Sequence, residues 1–379
     1  MSDALKIEPK PKIVYIDHLR VALTALVVLH HAAVTYGAPG GWYYSEKTET
    51  LGAIMPMTLL VSVDQAFFMG FFFLLSALFI PVSLDKKGPG KFMSDRLVRL
   101  GIPLMFYSFV FSPFVIYIVY YWPKGHHISY GQFLSGFDEW INFGVMWFVA
   151  ALLIFSFLYV LFRIISGSDK LVMDIPTTGQ ILIFATAIGI ISFFVRIVFP
   201  VGRTLDPLGF QLGHFPQYIA MFIFGIIASR NNWLGQSDYK MGKQMRLIAI
   251  LLVVIGFPLF FIARKIFDFP IAYFSSGMHW PQLWYAVWEQ VLGFSIATAL
   301  LCIGRAKWDV PSPLLARLAR CAFAAYIFHP IGLVILSSLL KDWAVDPGIK
   351  FLVVGPLGVV GAFALADLLV KIPGVNRIL

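Results

Sequence analysis

Charge is scarce in this chain. Asp, Glu, Lys and Arg together make up 13% of its 379 residues. A soluble domain of that length needs far more polar surface, so a water-soluble globule is excluded. Cysteine is nearly absent: Cys302 and Cys321 provide neither a disulfide framework nor a metal-ligand spacing, and both read as small apolar residues near helix ends. No internal repeat, low-complexity tract or soluble appendage is expected. The loops run about 10 to 20 residues, too short to fold by themselves. Any chemistry must therefore take place within the apolar segments or at their mouths, and no metal centre is expected.

What the chain has instead is hydrocarbon. Apolar residues make up 59% of it and aromatic residues 16%, with 37 Phe. Apolar stretches of about 17 to 25 residues cross the hydrocarbon core of a bilayer. Ten such stretches are expected, over 19–36, 56–84, 101–121, 142–164, 180–199, 212–229, 247–263, 284–303, 322–340 and 351–370. Turn-forming segments such as "GAPGG", "DKKGPGK", "PVGRTLDP" and "VDPG" separate them. The expected fold is an all-α polytopic membrane protein of about ten transmembrane helices over residues 19–370. A short N-terminal segment (1–18) precedes it and a C-terminal tail (371–379) follows. Lys6, Lys10 and Lys12 before an apolar run resemble a signal peptide. Arg20, His30 and His31 interrupt that run and no A-x-A site follows, so it reads as a retained first helix.

The net charge of +9 would suggest nucleic acid in a soluble protein. Here the distribution of the charges accounts for it. Of the 29 lysines and arginines, 20 fall in the segments on the N-terminal side of the membrane and 7 on the opposite side, with Arg20 and Arg196 in or at the edge of spans. That asymmetry predicts both termini in the cytoplasm, a multi-pass location in the inner membrane, lipids as surroundings and no nucleic-acid partner.

Several charged residues sit where hydrocarbon is expected. "RVALTALVVLHH" carries Arg20 at its start and His30 and His31 at its end. On a helix, Arg20 and His31 differ by only about 20° in direction and about 16 Å in height, so they share a face with Thr24, whereas His30 lies about 80° away. Arg20 suits either a side chain snorkelling to the headgroups or a binding group. His31 suits either a hydrogen bond to a neighbouring helix or a chemical role. Asp64 falls in the outer half of the second span. Arg96 and Arg99, spaced i, i+3, are expected to project together. They fit phosphate recognition as well as they fit simple anchoring. Arg196 and Glu289 lie in the outer halves of the fifth and eighth spans and either pair or line a cavity. His329, with Pro330 beside it, falls in the inner half of the ninth span and suits either core structure or a site wall. Outer loops rich in aromatics, "GGWYYSEK" and "SSGMHWPQLWY", read first as interfacial belts, and as aromatic platforms beside polar groups they also suit a glycan.

Taken in order, these segments resemble the bacterial integral-membrane acyltransferase-3 family, the O-acyltransferases of surface and periplasmic glycans. "YIDHLRVALTALVVLHH" is similar to the family's opening D-x-L-R, apolar run and histidine, matching Arg20 and His31. "FFFLLSALF" resembles its FFxLSGF, with Ala77 where glycine is usual. "FMSDRLVRLGIPL" resembles its paired-arginine segment. "MWFVAALLI", "YIAMFIFGIIASRNNWL" and "AAYIFHPIGLVI" follow in the expected order, with Gly-Val before Met146 where the family often has histidine. The resemblance covers about residues 13 to 370. It implies transfer of an acyl group from an acyl-coenzyme A, expected to be acetyl-CoA, to a hydroxyl of a cell-envelope glycan or similar small acceptor. No permanently bound cofactor is implied. Arg96 and Arg99 would hold the coenzyme phosphates, and His31 would serve as general base on a path that begins at Arg20. Intramembrane Arg, His, Asp and Glu also build proton-coupled transporters, which is the alternative reading.

Overall fold

The computed structural model describes residues 13–168 and 171–378. Lys6, Lys10, Lys12 and Lys170, and most of the 1–18 segment, lie outside them. Among the described residues, ten helices are long and apolar enough to cross a bilayer. They are α1 (Val14–Tyr36), α2 (Leu51–Lys87), α3 (Pro89–Tyr121), α4 (Gly144–Ser166) and α5 (Thr178–Val198), then α6 (Leu212–Arg230), α7 (Tyr239–Phe267), α8 (Trp280–Lys307), α9 (Pro313–Leu339) and α10 (Pro347–Leu369). The protein is an all-helical, multi-pass membrane protein.

The spans agree with the apolar stretches, but several helices begin well before them. Hydropathy marks only the part inside hydrocarbon, whereas caps decide where the helix starts. The Asp238 side chain accepts from the Lys240 N–H at the head of α7, and Ser312 accepts from the Leu315 N–H at the head of α9. The early start of α9 corrects one expectation. His329 lies past the middle of this helix, not in its first half, and so reaches the level of His31.

The prolines shape the bundle. In α3 and α7, three π turns, Leu97–Gly101, Tyr107–Phe111 and Leu252–Gly256, each end two residues before a proline: Pro103, Pro113 and Pro258. A proline ring has no N–H and collides with the carbonyl four residues back. In each case that carbonyl falls inside the π turn, and the wider turn accommodates the ring.

α2 and α8 form the centre, each with 72% of its apolar window buried, against 22% for the peripheral α7. Small residues let the helices meet closely, as bilayer packing requires. A Cβ placed on Gly293 of α8 would lie 2.0 Å from the Ala66 carbonyl oxygen of α2. One on Gly225 of α6 would lie 2.6 Å from the Leu74 carbonyl oxygen. These close backbone approaches hold α6 and α8 against α2.

Gly293→Ala should therefore destabilise the bundle, whereas Gly332→Ala, where an added Cβ meets nothing within 4 Å, should not. Overpacking of this kind costs about 1–3 kcal/mol or more. Thermal unfolding of the detergent-purified variants checks it; equal midpoints for Gly293→Ala and the unaltered protein would refute the close-packing account.

Candidate active site

Arg20 and Arg96 line one cavity of about 270 Å³ between α1, α2, α3, α4 and α9. Thr24, Ser76 and Tyr326 supply its other polar groups, and Phe72, Phe79 and Phe148 much of its apolar wall. Arg20 bonds Asp17 at 3.3 Å and sits 5.0 Å over the Phe79 ring. Arg96 sits 5.2 Å over the Phe92 ring. Arg99 does not line this cavity and is exposed, so the two arginines do not project together as their spacing suggested. The reason is the π turn that begins at Leu97, directly after Arg96. Its wider winding breaks the α-helical i, i+3 relation.

Beyond the cavity, in the direction in which Arg20 and Thr24 lead along α1, lies a pair of histidines. His31 Nδ1 is 2.9 Å from His329 Nε2. His329 Nδ1 is 2.7 Å from the Tyr326 carbonyl oxygen. A carbonyl can only accept, so His329 Nδ1 carries the proton and its Nε2 presents a lone pair when neutral. His31 Nδ1 must then donate to that lone pair, which leaves His31 Nε2 unprotonated. No residue among those described occupies Nε2, and His31 is partly exposed. The Tyr326 carbonyl is free for this bond because its normal helical partner, four residues on, is Pro330, which has no N–H. The sequence "YIFHP" thus dictates the tautomer of its own histidine. Tyr326 also forms part of the cavity wall, one turn of α9 before His329, and its hydroxyl donates to the Val145 carbonyl at the start of α4.

The segment between α1 and α2 covers the histidines. Trp42 stacks on His31, with ring centres 4.0 Å apart and planes at 15°. Tyr43 and Tyr107 share a hydroxyl–hydroxyl bond of 2.7 Å. At the other end, Thr48 and Thr50 donate to Asp346 at 2.8 and 2.7 Å, and Lys350 donates to Glu46 at 2.6 Å. The Thr50 and Thr48 hydroxyls, with the Gly348 N–H, hold the Asp346 carboxyl below its ordinary range.

Neither histidine is among the residues lining that cavity; His329 follows Tyr326 of its wall by one turn of α9, and the unprotonated nitrogen of His31 is a group that can take a hydroxyl proton. The family comparison decides the class: a model described as an acyltransferase domain matches residues 13–371. The chain belongs to the acyltransferase-3 family. No curated protein and no solved structure matches it. Acyltransferase-3 proteins are membrane enzymes that transfer acyl groups to hydroxyl acceptors, and this chain is an O-acyltransferase of that kind.

The remaining charged residues of this acyltransferase form separate clusters. Asp64, 2% exposed, lies 3.5 Å from His30 Nδ1, and His30 stacks on Phe68, so His30 faces α2 and not lipid. Arg196 and Glu289 form a fully buried ion pair between α5 and α8. Arg196 Nε also donates to the Gly213 carbonyl at 3.0 Å. Nδ1 of His214 lies 3.1 Å from Arg196 and 3.2 Å from Glu289. Neither Arg196 nor Glu289 is among the residues lining the cavity beside Arg20. A larger recess of about 1120 Å³ between α5 and α6 is lined almost wholly by apolar side chains, so it lacks groups for the chemistry. Sequence reading passed over Trp42, Tyr326 and His214. Trp42 has the letters of a belt residue, Tyr326 lies in the apolar run of α9, and His214 stands alone between "QLG" and "FP" with no periodic signal.

Glu289→Gln should destabilise the enzyme, because it leaves the Arg196 guanidinium buried without its counter-charge. Breaking such a pair costs about 3–5 kcal/mol, and removing both charges costs less. Arg196→Met/Glu289→Met should thus recover part of the lost thermal stability. A Glu289→Gln protein as stable as the unaltered one would show that the pair is not structural.

Proposed function

We propose that this enzyme moves a short acyl group, acetyl or similar, from acyl-CoA to a hydroxyl of a cell-envelope glycan or related acceptor, at the inner membrane. The observation that carries the reading is the His31–His329–Tyr326 carbonyl chain, which leaves one unprotonated nitrogen on His31 and runs through Tyr326, a residue of the wall of the cavity that Arg20 and Arg96 line. His31 Nε2 takes the proton of the acceptor hydroxyl as its oxygen attacks the thioester carbonyl carbon. The C–O bond forms, the C–S bond breaks, and the proton passes from His31 to the departing thiolate. While His31 is charged, its Nδ1–H stays bonded to His329 Nε2. His329 thereby takes the part that a carboxylate plays behind the histidine of a hydrolase triad.

Arg20 and Arg96 bind the coenzyme phosphates in this scheme, since guanidinium forks match phosphate oxygens in pairs. That assigns the donor to the cytoplasmic mouth, in line with the basic residues that flank it. Asp64, Arg196 and Glu289 act as structural partners and not as acceptor groups. The ion pair argues against a proton-coupled transporter, because Arg196 and Glu289, two of the charges that suggested one, are bonded to each other.

His31→Ala at matched membrane abundance should lose about 10²–10⁴-fold in turnover, measured as thiol release from acetyl-CoA. His30→Gln, which keeps a polar group opposite Asp64, should retain most of it, and Pro330→Ala, which restores a competing N–H to the Tyr326 carbonyl, should fall between. Normal turnover in His31→Ala would remove His31 as the base.

The arginines should separate. Arg96→Gln should raise the KM for acetyl-CoA about tenfold or more, the value of a charge-assisted hydrogen bond. Arg99→Gln should change it little, and Arg96→Lys should restore only part. Equal effects of Arg96→Gln and Arg99→Gln would return both to membrane anchoring.

A further inference from the structure

We propose that Trp42 is a positioning residue of the transfer reaction, its indole lying across His31 and His329 and holding the positive charge that His31 gains with the acceptor's proton. This rests on the reading of His31 as base.

The geometry is that of a plate over a pair of rings. The imidazoles of His31 and His329 are within 5° of parallel and joined by their hydrogen bond. The indole lies 4.0 Å from the first and 5.7 Å from the second, at 15° to each. A belt tryptophan would turn its face to headgroups; this one turns it to the reacting pair.

Charge balance gives the plate its purpose. Among the described residues, no carboxylate lies within ion-pair distance of His31; Asp64 is engaged with His30. An imidazolium at this depth without a counter-charge is costly. Two features beside His31 offset that cost, the lone pair of His329 and the electron-rich face of Trp42. The ring of His30 meets His31 at 86°, edge to face, and offers no negative surface of comparable extent.

The plate is also held in place. Gly37 and Gly40, at φ of +138° and +143°, turn the chain out of α1 in conformations that only glycine adopts readily. Tyr43, next to Trp42, is bonded to Tyr107 of α3, while Glu46, Thr48 and Thr50 are bonded to Lys350 and Asp346 at the head of α10. Trp42 therefore meets the histidines at a fixed angle and height.

The experiment uses the full chain in membranes carrying the cell's own glycans, with acetyl-CoA as donor. Fluorinated tryptophans placed at position 42 alone keep the ring's shape while draining electron density from its face. Turnover should fall stepwise with each fluorine, to about tenfold in total, while the KM for acetyl-CoA stays constant. Trp42→Phe should lie between the unaltered enzyme and Trp42→Leu, and in a His31→Ala background Trp42→Leu should cause no further loss. Turnover unchanged across the fluorinated series, with His31→Ala inactive, would overturn the role of Trp42 and leave His31 as the base. Full turnover in His31→Ala would overturn both.

Discussion

A polar side chain in hydrocarbon has no solvent to bond, so it must find its partner inside the bundle. Much of the interior of this enzyme follows from that constraint. Arg196 meets Glu289 and the Gly213 carbonyl, His30 meets Asp64, and His31 meets His329. Lys350, though 1% exposed near the head of α10, meets Glu46 and the Lys341 carbonyl. The Arg196–Glu289, His31–His329 and Lys350–Glu46 pairings cross between elements far apart in the chain. The pairs therefore specify which helices are neighbours in a medium where apolar contacts discriminate poorly.

Within that scheme, a missing group matters as much as the groups present. Pro330 withholds one N–H from α9, and the Tyr326 carbonyl then accepts from His329. That single bond sets the proton on His329 Nδ1, which sets the proton on His31 Nδ1, which leaves Nε2 of His31 unprotonated. A histidine in a bilayer is usually a cost to be met by one good hydrogen bond. Here two histidines share the bonding so that one nitrogen is left over for chemistry. Trp42, from the segment between α1 and α2, lies face-on to this pair, and among the described residues no carboxylate is within ion-pair distance of His31.

Prolines act a second time in α3. π turns end before Pro103 and Pro113, and the first of them widens the helix where it passes the cavity. One of them separates Arg96, which lines the cavity, from Arg99, which does not. Sequence periodicity treats the two arginines as equivalent because it assumes 3.6 residues per turn throughout. The local winding makes them different.

The sequence by itself determined the membrane class, the number of spans and the family, because hydropathy over some twenty residues and the order of short motifs depend on the chain alone. It also placed Arg20 and His31 on one face, since both lie on a regular helix. The rest came from tertiary structure. No sequence separation suggests that His329 lies beside His31, or that His214 joins Arg196 and Glu289. Trp42 carries the same letters as any belt tryptophan, and only the fold of the 37–50 segment turns its face onto the histidines. Periodicity reports the face a residue takes on its own helix; partners are chosen between helices, by which polar groups must be satisfied and how closely the glycines let the backbones approach.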